Sequence, residues 1–240
     1  IVGVIAVTAG VLLHVPMFLM GRHNHFNLSG MAMGTDMVAG MALVVAGSSY
    51  ARSDLTLRGV SLDPKGRRML QVFRWMDAKI ETEKHRAEPG SEPTGTLKVR
   101  GSELRPTKIA GETATMFLHE APLWIAAGAF SSGEMVVRDI AALREGELDR
   151  IDGLVEALRR MNIRVGEMPD GVVVEGGRRP QGAEVDAKGD GPLATALALL
   201  AFRAEGETTI RNADGLDRIW PGFVEAVEDL AARTRHEMPA

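Results

Sequence analysis

The chain has 240 residues, 45% of them hydrophobic and 25% charged, a composition that excludes wholesale disorder and suits one large domain or two small ones. A formal net charge of −4 leaves no overall basic field to recruit nucleic acid. The absence of cysteine excludes disulfides, thiolate nucleophiles and cysteine-based zinc sites.

Charge is spread unevenly. In Ile1–Tyr50 the only formally charged side chains are Arg22 and Asp36. Ile1–Met20 is almost wholly apolar and, at about 1.5 Å per helical residue, long enough to cross a bilayer core of about 30 Å. Two readings fit this stretch. One is a candidate membrane helix whose flank of Arg22, His23 and His25 faces the cytoplasm; the other is a buried strand–helix pair of a larger core. His14, His23 and His25 invite a metal site, but their spacing reads better as an interfacial or loop cluster. Met37–Gly47 is short for a span and predicts a buried helix.

Further along, one pattern recurs three times. Leu55-Thr-Leu-Arg-Gly-Val60, Met135-Val-Val-Arg-Asp-Ile140 and Thr208-Thr-Ile-Arg-Asn-Ala213 each alternate like a strand and carry Arg at the fourth place: Arg58, Arg138 and Arg211. Each follows an apolar, helix-like run: Met37–Gly47, Ala121–Gly133 and Pro192–Gly206. Each also precedes an amphipathic stripe: Leu70, Phe73, Met76 and Ile80; then Ile151, Leu154, Leu158 and Met161; then Phe223, Val227 and Leu230. Extended segments follow the first two units at Thr96–Arg100 and at Arg164–Gly166 with Gly171–Glu175, the latter pair around a Pro169-Asp170-Gly171 turn. Strand starts roughly 73 to 80 residues apart predict a threefold α/β repeat. Glu88–Gly95 is a turn-rich loop within the first unit. Trp75, Trp124 and Trp220 are expected in packing, and Arg67-Arg68 and Arg159-Arg160 on solvated helix faces.

The stretch Phe117–Gly177 resembles the C-terminal half of the EPSP synthases, the enolpyruvyl transferases that act on shikimate 3-phosphate. The matching features are Glu-Ala-Pro at Glu120–Pro122, an Ala-rich helix and a strand. Glu147-Leu-Asp-Arg150, a Leu-Arg-Arg-Met helix and the Pro-Asp-Gly hairpin complete them. Gly189–Leu199 is similar to the family's Asp-His-Arg helix start, and Asp217–Phe223 to its Lys-x-Phe-Pro-x-Phe element. The resemblance implies an α/β fold: an inside-out, barrel-like domain of three βαβαββ units, over residues 31–240, after an apolar segment at 1–30. It also implies two anionic substrates, phosphoenolpyruvate and shikimate 3-phosphate, no metal or organic cofactor, a cytoplasmic setting and a missing upper domain.

Transferred position by position, the resemblance makes His119 and Glu147 the acid/base candidates and Glu120, Arg150, Asp190 and Arg218 the substrate-binding ones. Arg150 is the fork expected to grip the phosphoenolpyruvate carboxylate. Glu147 and Asp149 also read simply as acids favoured in a first helical turn. His119 stands where the family has Asp, and imidazole can do acid/base work near neutral pH, although a plain surface or helix-cap His is the favoured reading of the residue taken by itself. Gly146, Gly191 and Pro192 stand where the family has Lys, His and Arg, while Arg218 replaces a Lys. Gly189–Pro192 is a candidate phosphate cradle at a helix start. The lost cations and the missing domain predict a chain that is weak or inactive alone. Two alternatives are a non-catalytic anion-binding module and a membrane-tethered fusion.

Overall fold

The computed structural model describes residues 5–7, 24–27, 33–49, 53–85, 93–145 and 148–219. They form a mixed α/β fold. In chain order its elements are β1 (Ile5–Val7), β2 (Asn24–Asn27), α1 (Met33–Ser49), β3 (Asp54–Ser61), α2 (Pro64–Trp75), β4 (Lys79–Lys84), β5 (Thr94–Arg100), β6 (Lys108–Ile109), α3 (Gly111–Met116) and α4 (Ala121–Phe130). They continue with β7 (Glu134–Val137), a 3-10 turn (Ala141–Arg144), α5 (Arg150–Arg160), β8 (Arg164–Met168), β9 (Gly171–Glu175), β10 (Glu184–Asp186), α6 (Gly191–Ala201), β11 (Thr208–Arg211) and α7 (Asp214–Ile219).

Two four-stranded sheets share one plan. Their orders are β2-β3-β5-β4 and β6-β7-β9-β8, each opening with a parallel pair and continuing with two antiparallel ones. In the third sheet β10 runs parallel to β11, while β1 pairs antiparallel with β11 through Ile5–Ile210 and Val7–Thr208. β1 therefore takes on β11 the place that β5 takes on β3 and β9 on β7.

The helices divide by pattern. The described part of α1, all of α4 except Phe130, and α6 from Leu193 onward are buried on nearly every side. α1 packs on α4 and α6, and α4 on α6. A helix apolar all round has to be enclosed, which the Ala-rich runs required. Close approach explains Gly128: a Cβ there would come within 2.6 Å of Val174 and 2.9 Å of Met135. α2 and α5 instead bury one stripe, with Leu70 and Phe73 in the first and Ile151, Leu154 and Leu158 in the second, and leave their charged faces outside.

The recurring Arg pattern has a backbone correlate. The residue after each Arg has positive φ: Gly59 at 73°, Asp139 at 61° and Asn212 at 51°. Glycine, aspartate and asparagine tolerate this left-handed conformation, and at Asp139 and Asn212 the strand has just ended. Hence β7 stops at Val137 and β11 at Arg211, short of the expected Ile140 and Ala213. Asp77 and Asn162 do the same after α2 and α5, with φ of 58° each. Ile80, expected on the stripe of α2, therefore lies in β4.

The spanning helix expected over Ile1–Met20 is not formed where that stretch is described, because Ile5–Val7 is strand β1. The rest of it lies outside the described residues, as do Glu88–Glu92, Trp220 and the stripe Phe223, Val227 and Leu230. Among the described residues no helix is long and apolar enough to cross a membrane, and no group of three acidic or histidine side chains is arranged to hold a metal.

Candidate functional site

Charged side chains from four helix starts, and one from the last turn of a fifth helix, come together. Lys65 is in the first turn of α2, Glu120 immediately precedes α4, Arg150 is the first residue of α5, Asp190 immediately precedes α6, and Arg218 lies in α7. Lys65 Nζ is 2.8 Å from Glu120 Oε1 and 5.4 Å from the centroid of the Phe117 ring. Glu120 is buried, and its Oε2 has no hydrogen-bond partner among the described residues. The next residue back, His119, is exposed, with Nδ1 3.5 Å from Arg150 Nη1. Arg150 Nε in turn lies 2.7 Å from Asp190 Oδ2.

Asp190 has two roles at once. Its Oδ1 accepts from the Leu193 N–H at 2.8 Å, capping α6, while Oδ2 holds Arg150. One residue away, the Gly189 carbonyl accepts from Arg218 Nη2 at 2.7 Å. Lys65, Glu120, His119, Arg150 and Asp190 thus form a chain of neighbouring charged or titratable groups along the helix starts, with Arg218 added from the last turn of α7.

The start of α5 is fixed from the other side. Asp149 caps it by accepting from the Asp152 N–H at 2.9 Å, and Arg144 Nη1 lies 2.8 Å from Asp149 Oδ2. Arg144 also meets Glu167 at 2.8 Å and the carbonyls of Met168 and Pro169. Burial pushes the Asp149 carboxyl up, but the Asp152 N–H and the Arg144 guanidinium outweigh it and hold the group below the ordinary aspartate value. The hydrogen bond to Asp149 raises Arg144 in return. Asp149 is accordingly a helix-start residue, as its position suggested.

Of the six residues expected from the resemblance, His119, Glu120, Arg150, Asp190 and Arg218 come together, and Glu147 lies outside the described residues along with Gly146. Glu120 and Asp190 are buried, each with an oxygen committed to a cation, so they position charge rather than present it. Lys65 and Arg144 were not anticipated. Nothing local marks Lys65, whose partner is 55 residues away.

Gly191 also has a packing reason. A Cβ there would lie 2.8 Å from the Gly215 carbonyl oxygen and 2.7 Å from Ile219. The two glycines let α7 rest against the start of α6, which brings Arg218 within reach of the Gly189 carbonyl.

A family model described as EPSP synthase (3-phosphoshikimate 1-carboxyvinyltransferase) matches residues 26–227. The chain is 40% identical over 187 residues to a 3-phosphoshikimate 1-carboxyvinyltransferase of Synechococcus sp. (strain JA-3-3Ab), covering 78% of this chain and 42% of that protein. It is 32% identical over 195 residues to the one of Desulforamulus reducens, covering 81% and 45%. Its fold matches a solved EPSP synthase of Acinetobacter baumannii with a TM-score of 0.72 at 23% identity, over 82% of this chain and 45% of that one. The enolpyruvyl transferase NikO of Streptomyces tendae matches with a TM-score of 0.64 at 20% identity, over 81% and 42%. The chain thus spans less than half the length of these relatives. Over the part they share, it belongs to the EPSP synthase (3-phosphoshikimate 1-carboxyvinyltransferase) family.

Proposed function

We propose that residues 31–240 are the lower domain of an enolpyruvyl transferase that moves the enolpyruvyl group from phosphoenolpyruvate to shikimate 3-phosphate in the cytoplasm. In this reading the domain is an inside-out arrangement of three βαβαββ units that puts the helix starts at the substrate. The observation that carries it is Arg150, held by Asp190 at 2.7 Å on one edge. A guanidinium fixed in this way is preorganised to receive a carboxylate on its remaining N–H groups.

Arg218 adds a second positive charge, and Glu120 and Asp190 act through Lys65 and Arg150, the cations they hold. His119 and Glu147 are the acid/base residues. A proton goes to the methylene carbon of phosphoenolpyruvate while the 5-hydroxyl oxygen bonds to the adjacent C2 and gives its proton to a base. Loss of a methyl proton together with phosphate then restores the double bond. Turnover is weak in this reading, since Gly146 and Pro192 put no charge where the family has cations.

Calorimetric titration of the full chain with phosphoenolpyruvate, in the presence of shikimate 3-phosphate, tests the reading. The expected result is measurable binding with little phosphate release, weakened about tenfold or more in Arg150→Gln. No heat of binding in a protein that keeps its circular dichroism spectrum would sink the reading.

A further inference from the structure

We infer that anion binding at Arg150 is coupled to uptake of a proton by His119. This deepens the reading above, in which Arg150 and Arg218 receive an anion, and depends on it. Arg150 has only donors to offer, so a hydrogen bond across its 3.5 Å approach to His119 requires Nδ1 to accept, which an imidazole can do only with its proton on Nε2. Histidine is the side chain that changes charge between about pH 5 and 8. When His119 takes a proton on Nδ1, two donors and two positive charges face each other and the contact is lost.

Among the described residues, the surrounding charges leave the imidazolium without a ready carboxylate. From α5, Arg150 faces it. Glu120, its sequence neighbour, is buried and engaged by Lys65 of α2. Asp190, ahead of α6, is engaged by Arg150 and by the Leu193 N–H. Asp149 is turned to Arg144, and Arg218 of α7 is itself a cation. An anion bridging the His119 imidazolium and the Arg150 guanidinium relieves their repulsion. Proton and anion therefore stabilise each other, and by linkage each raises the affinity for the other by the same factor. An aspartate at this place, as the family has, would face Arg150 with a fixed negative charge and carry no such dependence.

Sulfate is the suitable probe because its charge is constant across this range, unlike that of a phosphate ester. Calorimetric titration of the full chain at low, matched ionic strength is expected to show sulfate binding about fivefold tighter near pH 5.5 than near pH 8, the effect of one added unit charge at an exposed site. His119→Asn is expected to hold the weaker affinity at both pH values, and His119→Lys the tighter one at both. Equal affinities in the unsubstituted chain, or a pH dependence that survives in His119→Asn, overturn the proton coupling and leave the anion site standing. Absence of sulfate binding at either pH, or binding that Arg150→Gln does not weaken, overturns the anion site and the coupling with it.

Discussion

Asp190 joins two helices with one carboxylate: Oδ1 caps α6 through the Leu193 N–H at 2.8 Å, and Oδ2 holds Arg150, the first residue of α5, at 2.7 Å. Asp190→Ala removes both contacts and is expected to cost about 2 to 3 kcal/mol, combining a lost cap with a broken, partly buried ion pair. Asp190→Asn keeps the capping oxygen and is expected to cost about half as much. Urea unfolding of the two variants checks the split, and equal losses would show that the ion pair with Arg150 dominates and the cap contributes little.

The Lys65–Glu120 pair is asymmetric, since the Glu120 side chain is 4% exposed and that of Lys65 31%. Lys65→Met leaves a buried carboxylate with no cation and is expected to destabilise by about 2 kcal/mol or more. Adding Glu120→Leu is expected to recover much of that loss, because the uncompensated charge is then gone. A double-mutant cycle by chemical denaturation measures it, and strictly additive losses would refute the coupling.

Asp149 gives the fold an acid-side pH dependence of known sign. Its carboxyl is held below the ordinary value of 3.8. A group depressed in the folded state stabilises the fold above its unfolded pKa, and that contribution is lost as pH falls through the folded pKa. Melting temperature is therefore expected to fall more steeply below about pH 4 in the unsubstituted chain than in Asp149→Asn. Parallel curves for the two would exclude Asp149 as a source of the slope.

Trp124 is fully buried, 4.8 Å from the Phe73 ring centroid and 5.6 Å from that of Phe117 in an edge-on contact. Its indole N–H has no hydrogen-bond partner among the described residues. Trp124→Ala is expected to cost about 4 kcal/mol, whereas Trp124→Phe, which loses volume but no polar contact, is expected to cost about 1 to 2. Denaturation midpoints decide whether the N–H matters.

Gly191→Ala puts a methyl group 2.8 Å from the Gly215 carbonyl oxygen. The expected result is a loss of about 1 to 3 kcal/mol by overpacking, with α7 displaced from the start of α6. Arg218 then loses its contact with Gly189, so anion affinity is expected to fall along with stability. Unchanged sulfate affinity in a folded Gly191→Ala variant would show that Arg218 does not depend on this packing.

Much of the fold is legible along the chain. The Ala-rich runs require enclosed helices, the spaced apolar residues of α2 and α5 require half-buried ones, and the Arg58, Arg138 and Arg211 pattern marks three matching strands, because each of these signals is a periodicity within one element. The positive φ at Gly59, Asp139 and Asn212 was not anticipated, although these residue types tolerate it. Of the site, Arg150 and Asp190 were identified through a family motif, but their mutual contact was not.

Tertiary packing decided the rest. The edge pieces β1, β2, β6 and β10 have two to four residues each, too few for a period to register, and exist through pairing with longer strands. Which acid meets which cation depends on how the helix starts are brought together. Lys65 finds Glu120 across 55 residues, and His119 meets Arg150 across 31. Residue order determined the helices and principal strands, since burial periodicity is local. Their packing alone determined which charges stand together, since electrostatic contact depends on distance in space.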